Sequence, residues 1–334
     1  MKEKNADFTS WRILCALAEK IKAMEPWKQF EDMELFVLHF AQQKPVYCSI
    51  MGFHQMCYGI SFYEGEEGFK DISTVAFEID DQRFENYVTM ESAFYSLYFD
   101  DQENVSYEQQ QIYDKLGIDP KQYFHFTVKE KGCFPDDPDE KEVNRYILYL
   151  AGLIEAIEYF LKEEVLIDFK RDMFVYDVES KKGSRTPFVL QPKEYEAIIP
   201  VDEKYLDALS NLECCEEHWE MEYNYINQGV EREDGRVANL RVVMAACRED
   251  GKMLCCVPLE SDADENEAVL DALFQMIEQN GRPKSIALSN ARMYPMIGPV
   301  CDFLGIEIEE SDELYIIDDF LEGFFQYANQ TMTS

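Results

Sequence analysis

The stretch "NGRPKSIALSNARMYPMIGPVCDFLGIEI", residues 280–308, decides the fold class of the C-terminal part of the chain. A Gly-Arg-Pro turn leads into an apolar segment, which predicts a strand over 284–289. Apolar residues at helical spacing then predict a helix over about 293–304, and a glycine separates that helix from a short strand at 306–309. The order turn, strand, turn, helix, turn, strand is typical of an α/β sheet with helices on its faces.

The segments before this stretch extend the same domain. Residues 218–226, "HWEMEYNYI", alternate between polar and apolar side chains. Two strands then flank the turn at 249–251, which is a strong hairpin signal. A helix over 262–281 has acidic residues in its first turn, where the helix dipole favours them. With a final amphipathic helix, residues 199–334 predict an α/β domain with a mixed sheet.

The first 198 residues predict a separate α+β domain with a small antiparallel sheet. An amphipathic helix over 8–24 is followed by strand-like segments at 46–52 and 57–65 that are close enough to form a hairpin. The longest predicted helix covers 141–164. A Gly- and Pro-containing stretch at 176–195 indicates either an exposed hairpin or the start of a linker.

The charge balance excludes some partners and favours others. The 334 residues include 67 Asp and Glu against 31 Lys and Arg, a formal net charge of -36, while hydrophobic residues still make up 46%. A globular protein with this field repels phosphate backbones, so we expect no free nucleic acid as a partner and favour a basic protein instead. The first residues do not form a signal peptide and no apolar run is long enough for a membrane span, so we expect a cytosolic protein that does not enter membranes.

Two parts of the chain resemble uncharacterised bacterial domains that often occur fused together. The N-terminal resemblance rests on a Pro-Trp pair, a Met-Gly hairpin and a Tyr-x-Gly-x-x-Gly turn, here Pro26–Trp27, Met51–Gly52 and Tyr63-x-Gly65-x-x-Gly68. The C-terminal resemblance rests on Gly281-Arg282-Pro283 and Leu304-Gly305-Ile306. The resemblance implies a two-domain family of unknown function and transfers no activity.

The C-terminal order of elements also resembles the RNase H-like fold of nucleases and integrases. That resemblance implies carboxylates on the first strand, on the strand after the first helix and on a late helix, because two-metal phosphodiester cleavage needs them. Taking "LRVVMAAC" as the first strand, we find no acid there, and the next position offers Ser289 and Asn290. Only the third position is acidic, with Asp318, Asp319 and Glu322 as candidate metal ligands. We therefore expect a degenerate, non-catalytic copy with no catalytic residues and no cofactor.

The basic residues of the opening stretch are candidate anion ligands. Arg282, Lys284 and Arg292 flank the strand ahead of the helix that begins near Met293, and a helix N-terminus favours anions. No glycine-rich cradle of the Rossmann or P-loop type accompanies them. Local ion pairing with the surrounding acids is the alternative that the sequence favours.

The cysteines and histidines offer two weaker candidate sites. Cys214, Cys215 and His218 have one spacing compatible with zinc, although a closed site needs four ligands. Cys48 with His54 or His39 could form a nucleophile and base, but no acid is placed to orient the histidine. Buried, reduced cysteines explain both groups more simply.

The sequence thus favours a non-enzymatic binding or interaction protein with an acidic surface. The alternative is a metal-dependent nuclease or phosphodiesterase of RNase H-like fold, with Asp318, Asp319 and Glu322 joined by Glu249 or Asp250 from the hairpin turn. Convergence of three carboxylates around a metal-sized gap would favour the alternative.

Overall fold

The computed structural model describes residues 8–76, 82–99, 102–118, 124–195, 202–260 and 262–332. In chain order the helices are α1 (Phe8–Met24), α2 (Gly65–Ala76), α3 (Gln82–Met90), α4 (Tyr107–Leu116), α5 (Glu140–Lys162), α6 (Glu203–Ser210), α7 (Glu265–Asn280), α8 (Met293–Leu304) and α9 (Tyr315–Met332). The strands are β1 (Phe36–His39), β2 (Val46–Met51), β3 (Gly59–Glu64), β4 (Phe94–Tyr98), β5 (His125–Lys129), β6 (Asp172–Asp177), β7 (Lys182–Pro187), β8 (His218–Glu231), β9 (Val237–Cys247), β10 (Met253–Leu259), β11 (Ser285–Leu288) and β12 (Glu307–Glu310). None of the described helices is long and apolar enough to cross a membrane.

The chain divides into two compact units. The first comprises Met1–Glu78, Glu91–Lys193 and Glu231–Val237, and the second comprises Ile79–Met90, Glu194–Val230 and Ala238–Ser334. The main change of unit falls between Lys193 and Glu194, whereas residue 198, where the sequence predicts the domain boundary, lies outside the described residues. Each unit also includes one short segment from the other half of the chain, Glu231–Val237 in the first unit and Ile79–Met90 in the second. A single division at residue 198 does not predict this exchange of segments.

The first unit is an α+β fold built on a sheet whose described strands have the order β5-β4-β3-β2-β1-β6-β7. The hairpin of β2 and β3 forms as predicted, and β6 and β7 form the exposed hairpin that was one of two predictions for 176–195. The sheet is larger than the small antiparallel sheet expected from sequence. It is also mixed, because β1 pairs in parallel with β6 after the chain has crossed over through the 23-residue α5.

Local sequence signals explain the helices of the first unit. Ser106 accepts a hydrogen bond from the backbone N–H of Gln109 at the start of α4, and Gly117 ends that helix at a φ of 69°. Asp139 and Glu142 form a capping box at the start of α5. The apolar stripe of α5 is buried against the sheet, as its 3.6-residue period predicts.

The second unit has the RNase H-like order that the sequence predicts. Its described strands are arranged β10-β9-β8-β11-β12, with α7 between β10 and β11, α8 between β11 and β12, and α9 at the end. β9 and β10 pair antiparallel, whereas β11 pairs in parallel with both β8 and β12, so the sheet is mixed. The first of its strands is β8, not β9 as the sequence order suggested, and β8 is the central strand.

Two apolar layers enclose this second sheet. One face packs with α7 and α8 in a core that includes Trp219, Leu273 and Ile297. The other face packs against α9 through Ala287 and Ile317. Because both faces are covered, β8 is buried on both sides from Trp219 to Ile226, and every polar residue in that part of the strand needs a partner inside the protein.

Candidate functional site

Buried acids on β8 form the centre of the candidate site. Trp219, Met221 and Tyr223 belong to the core with α7 and α8, and the alternation of a strand turns Glu220 and Glu222 to the opposite face. The two glutamates are 0% and 1% exposed. The expectation that the first strand carries no acid is therefore wrong, because it was based on β9. The alternation of "HWEMEYNYI" was the signal that could have identified both residues.

Glu222 has a polar partner on either side of its carboxylate. Ser289 Oγ donates to Glu222 Oε2 at 2.8 Å, and Asn290 Nδ2 donates to Oε1 at 3.4 Å. Ser289 and Asn290 follow β11, which runs beside β8, so they occupy the position after the first helix that the sequence assigned to them. Burial raises the pKa of Glu222, and the positive charge of Arg83 opposes this effect.

Arg83 of α3 lies between two carboxylates. Its Nη1 is 3.1 Å from Glu222 Oε2, and its Nη2 is 2.5 Å from Asp318 Oδ1 on α9. Burial alone would lower the pKa of Arg83, but the two carboxylates outweigh burial and raise it. The guanidinium therefore stays charged and bridges the first strand and the last helix of the fold.

The rest of α3 is held at the same end of the sheet by further polar contacts. Asn86 Nδ2 donates to Asn224 Oδ1 and to the carbonyl of Tyr225, each at 3.3 Å. Tyr87 OH donates to Glu265 Oε1 at 2.9 Å. One face of this nine-residue helix thus meets polar groups of β8, α7 and α9.

One of the three candidate metal ligands on α9 belongs to this site. Asp318 binds Arg83 and also accepts the backbone N–H of Leu314 at 3.1 Å. Asp319 and Glu322 are exposed, and Glu322 accepts a hydrogen bond from Gln326. The structure therefore brings Asp318 to Glu222 and leaves the other two candidates on the surface.

The site does not fit the divalent metals that the RNase H-like resemblance implies. Glu222 and Asp318 supply carboxylates at two of the three expected positions, but the third holds Ser289 and Asn290, and the Arg83 guanidinium already occupies the space between the carboxylates. Within the described parts of the chain, no group of three or more His, Cys, Asp or Glu side chains could hold a metal ion. Hard metals such as Mg²⁺ require several oxygen ligands.

Glu220, two residues before Glu222, anchors the start of α9. Its Oε2 accepts the backbone N–H groups of Ile316 and Ile317 at 3.0 and 3.3 Å, and its Oε1 is 3.2 Å from Arg248 Nε. A carboxylate at a helix N-terminus satisfies N–H groups that have no partner within the helix. These two hydrogen bonds and the ion pair offset the free-energy cost of burying the carboxylate. Glu220 therefore has a structural role.

Arg292, one of the candidate anion ligands, is bound to an internal carboxylate. It is 3% exposed, and its Nη2 lies 2.7 Å from Glu265 Oε1 at the start of α7. Tyr223 OH donates to the other oxygen of Glu265 at 2.7 Å. Burial opposes ionisation of Glu265, but Arg292 and the hydrogen bonds outweigh it and lower the pKa of this carboxyl group.

The other two candidate anion ligands lie at the opposite end of β11. Arg282 donates to the backbone carbonyls of Leu212 and Leu304 at 3.1 and 2.6 Å. Lys284 is half exposed, and its Nζ is 3.9 Å from a carboxylate oxygen of Glu216. Both precede the strand, whereas Arg292 follows it, so the strand of four residues separates them by about 13 Å. The three cations do not form one anion site.

A cleft of about 560 Å³ opens where β11 and β12 end. It is lined by Gln82, Arg83, Leu288, Ser289, Asn290, Ala291, Tyr294, Ile308, Glu310, Ser311 and Asp312. Glu310 and Asp312 are exposed, and no ion pair joins either of them to another residue that the structure describes. Tyr294 is 53% exposed. The cleft therefore combines two acids that form no ion pair with any described residue, an aromatic ring and the guanidinium of Arg83.

The cysteine and histidine candidates have other partners. His218 Nδ1 is 2.6 Å from Ser285 Oγ, which in turn donates to Glu309 at 2.5 Å. Cys215 Sγ contacts the carbonyl of Arg282. Because the serine lies between the histidine and the glutamate, this chain of contacts does not activate a nucleophile. None of the ten cysteines, all of which lie in the described parts of the chain, forms a disulfide.

Lys129 of β5, in the first unit, lies in an unusual environment for a charged side chain. Lys129 is 3% exposed, donates from Nζ to the carbonyl of Ser92 at 2.8 Å and lies over the Phe94 ring. Burial lowers the pKa of Lys129 to about 8. Lys129 is too deeply buried to reach a substrate, and we assign it a structural role.

A second cleft, of about 380 Å³, is lined by Asp136 and Asp137, among others.

The comparisons with known proteins agree with this two-part description. Residues 11–176 match a family described as Domain of unknown function (DUF7309), and residues 206–325 match Domain of unknown function (DUF6930). No curated protein matches the chain. The two-domain family of unknown function predicted from the sequence is thus confirmed. By its sequence position α3 lies within the DUF7309 match, although it packs in the second unit.

Two solved structures are similar to part of the chain. The integrase catalytic core domain of HTLV-2, in complex with magnesium, matches at 10% identity with a TM-score of 0.27, covering 35% of this chain and 72% of that chain. The intasome of simian T-cell lymphotropic virus, in complex with the PP2A regulatory subunit B56 gamma, matches at 13% identity with a TM-score of 0.22, covering 29% and 32%. We assign the RNase H-like order of the second unit from the arrangement and connections of its own strands, and not from these two structures.

Proposed function

We propose that this chain, in which a DUF7309 domain precedes a DUF6930 domain, is a non-catalytic binding protein that takes a basic segment of a protein partner. The observation that carries the proposal is the cleft at the ends of β11 and β12. Parallel strands commonly place ligands at their carboxyl ends, and this cleft offers carboxylates beside an aromatic ring.

The chemistry of the cleft suits a lysine or arginine side chain. Glu310 and Asp312 supply negative charge that no described cation neutralises, and the face of Tyr294 can attract a cation. The net charge of -36 adds long-range attraction for basic partners and repulsion of phosphate backbones. A cytosolic location would be consistent with such a partner and stays part of the proposal.

Peptide binding tests this proposal directly. We would measure the anisotropy of a fluorescent peptide rich in Lys and Arg on the full-length protein, with a peptide of the same length rich in Glu as the negative probe. The double variant Glu310→Gln/Asp312→Asn should weaken binding by about tenfold or more at about 0.1 M salt, and Tyr294→Ala should weaken it further.

A charge-matched control separates the cleft from general attraction. Glu267→Gln/Asp271→Asn removes the same two charges from the exposed side of α7. It should leave peptide affinity within about twofold of the wild type, because exposed charges beyond a Debye length are screened. Equal losses in both double variants would show that only the overall field binds the peptide, and the proposal would be abandoned.

A metal-dependent nuclease or phosphodiesterase is the second candidate, and the RNase H-like order of the second unit favours it. Cleavage of fluorescent DNA, RNA and hybrid duplexes in Mn²⁺ or Mg²⁺ would test it. Activity that disappears in Glu222→Gln would support the nuclease and overturn the non-catalytic proposal.

A further inference from the structure

We infer that Arg83 is a built-in substitute for a divalent cation, and that α3 carries it onto the Glu222–Asp318 pair and so closes the centre of the RNase H-like unit to metals. We call Glu222 and Asp318 the carboxylate pair. This inference does not depend on the proposed peptide cleft, and the two can fail separately.

The geometry of the guanidinium supports this substitution. Its two terminal nitrogens reach one carboxylate each, Nη1 to Glu222 and Nη2 to Asp318. A buried carboxylate such as Glu222 needs a compensating charge, and within the described residues the Arg83 guanidinium is the cation that contacts it. Arginine suits this role better than lysine, because its planar fork can bind two carboxylates at once.

The surroundings of the carboxylate pair also differ from a metal centre. Ser289 and Asn290 donate hydrogen bonds to Glu222 from the position where a third carboxylate would be needed. These donors help to compensate the charge of Glu222, and once Arg83 is removed the hydroxyl oxygen of Ser289 is able to join the two carboxylates as a metal ligand. Asn86 and Tyr87 fix α3 on Asn224 and Glu265, so the guanidinium is held in place by more than its own ion pairs.

Removal of the guanidinium should expose a binding site for divalent ions. In Arg83→Met, we expect the midpoint of thermal unfolding of the full-length protein to fall by roughly 6–15 °C, because a buried charge loses its partner. Saturating Mn²⁺ should then raise the midpoint of this variant by at least about 3 °C relative to EDTA, and the paramagnetic signal of free Mn²⁺ should report one ion bound per chain.

Two further variants make this result specific. Lys204→Met removes one positive charge from the exposed surface of α6 and controls for the more negative field. It should respond to Mn²⁺ as the wild type does. Arg83→Met/Glu222→Gln keeps the loss of arginine but removes half of the carboxylate pair, so it should lose the gain in Mn²⁺ response.

Two results would overturn the inference. A wild-type protein that binds Mn²⁺ in a way that depends on Glu222 would show that Arg83 does not exclude metals. An Arg83→Met variant with no gain over Lys204→Met would show that Arg83 is an ordinary ion pair. If Arg83→Met does not fold, Arg83→Ala provides the second test: folding restored by Mn²⁺ as well as by methylguanidinium, but not by tetramethylammonium at equal concentration, supports the inference, and no restoration by Mn²⁺ contradicts it.

Discussion

Arg83 Nη1 lies 3.1 Å from Glu222 Oε2, although the two residues are 139 positions apart in the sequence. The contact links a short helix of the N-terminal half of the chain to the central strand of the C-terminal sheet. Glu222 is almost fully buried, whereas the side chain of Arg83 is 23% exposed and also binds Asp318. The charge of Glu222 therefore depends on this contact more than the charge of Arg83 does, because Arg83 also reaches solvent and Asp318.

This asymmetry predicts the outcome of a double-mutant cycle. Arg83→Met leaves a charged carboxylate buried without its cation and should cost about 3–5 kcal/mol of unfolding free energy. Glu222→Gln should cost less, because glutamine can still accept from Ser289 and Arg83 keeps Asp318. The combined variant should be more stable than Arg83→Met alone, as measured by urea unfolding.

Strictly additive losses in this cycle would contradict the prediction. They would mean that the two side chains do not interact in solution. A change in the denaturant dependence of unfolding between the variants would have to be excluded first, because it would indicate a change in the unfolded or folded ensemble.

From the contacts of Glu220 we predict that its removal destabilises the start of α9 locally. Glu220→Ala removes the acceptor for the backbone N–H groups of Ile316 and Ile317 and one carboxylate partner of Arg248. We expect a loss of about 3–5 kcal/mol and faster hydrogen exchange at the first turn of α9 than at α7.

The matched control for Glu220 is Glu307→Gln on the edge strand β12. Glu307 is exposed, so this change should alter stability by less than about 0.5 kcal/mol. Uniform acceleration of exchange over the whole second unit in Glu220→Ala would indicate global destabilisation and not the release of α9.

The sequence predicted the elements whose signals are local. β11, α8 and β12 appear within about one residue of their predicted bounds, because caps, glycine turns and apolar periods act over a few residues, and α7 begins three residues later than predicted. The central role of β8 was missed, since strand order depends on its pairing with β11, where the partner residues are 67 positions later in the chain. The role of Arg83 was also missed, because nothing near it in the sequence distinguishes it from a surface arginine.

Two glycines that end helices predict different tolerances to substitution. Gly281, after α7, has a φ of 87° and a ψ of 177°, a conformation that is almost restricted to glycine, and an added Cβ would lie 2.9 Å from the carbonyl oxygen of Glu213. Gly305, after α8, is left-handed at a φ of 69°, with nothing within 4 Å of an added Cβ. Gly281→Asn should therefore cost about 1–3 kcal/mol, whereas Gly305→Asn should cost less than about 1 kcal/mol.

Chemical denaturation of the two glycine variants, with Gly281→Ala and Gly305→Ala beside them, checks this difference. At Gly305 asparagine should be tolerated better than alanine, because asparagine adopts the left-handed conformation more readily. At Gly281 both substitutions should be costly. Equal losses for Gly281→Asn and Gly305→Asn would contradict the argument from backbone geometry and steric contact.

From the lowered pKa of Glu265 we predict how the free energy of unfolding changes with pH. Arg292 and two tyrosine hydroxyls lower its pKa in the folded protein below the value of 4.5 expected for an unperturbed glutamate. Its contribution to stability is fully present above about pH 4.5, and it is lost as the pH falls through the lower pKa of the folded state, because the unfolded chain binds the proton first. Glu265→Gln should therefore flatten the fall of unfolding free energy between about pH 5 and 3.

The control for this profile is Glu267→Gln, which removes a charge from the same first turn of α7 without losing the contact to Arg292. Unfolding by urea at a series of pH values, with ionic strength held constant, gives the slope for each variant. If Glu265→Gln and Glu267→Gln flatten the profile equally, the effect belongs to the charge at the helix terminus. A flattening confined to Glu265→Gln would instead show that the contacts of this carboxylate with Arg292, Tyr87 and Tyr223 stabilise the end of the sheet on which α3 rests.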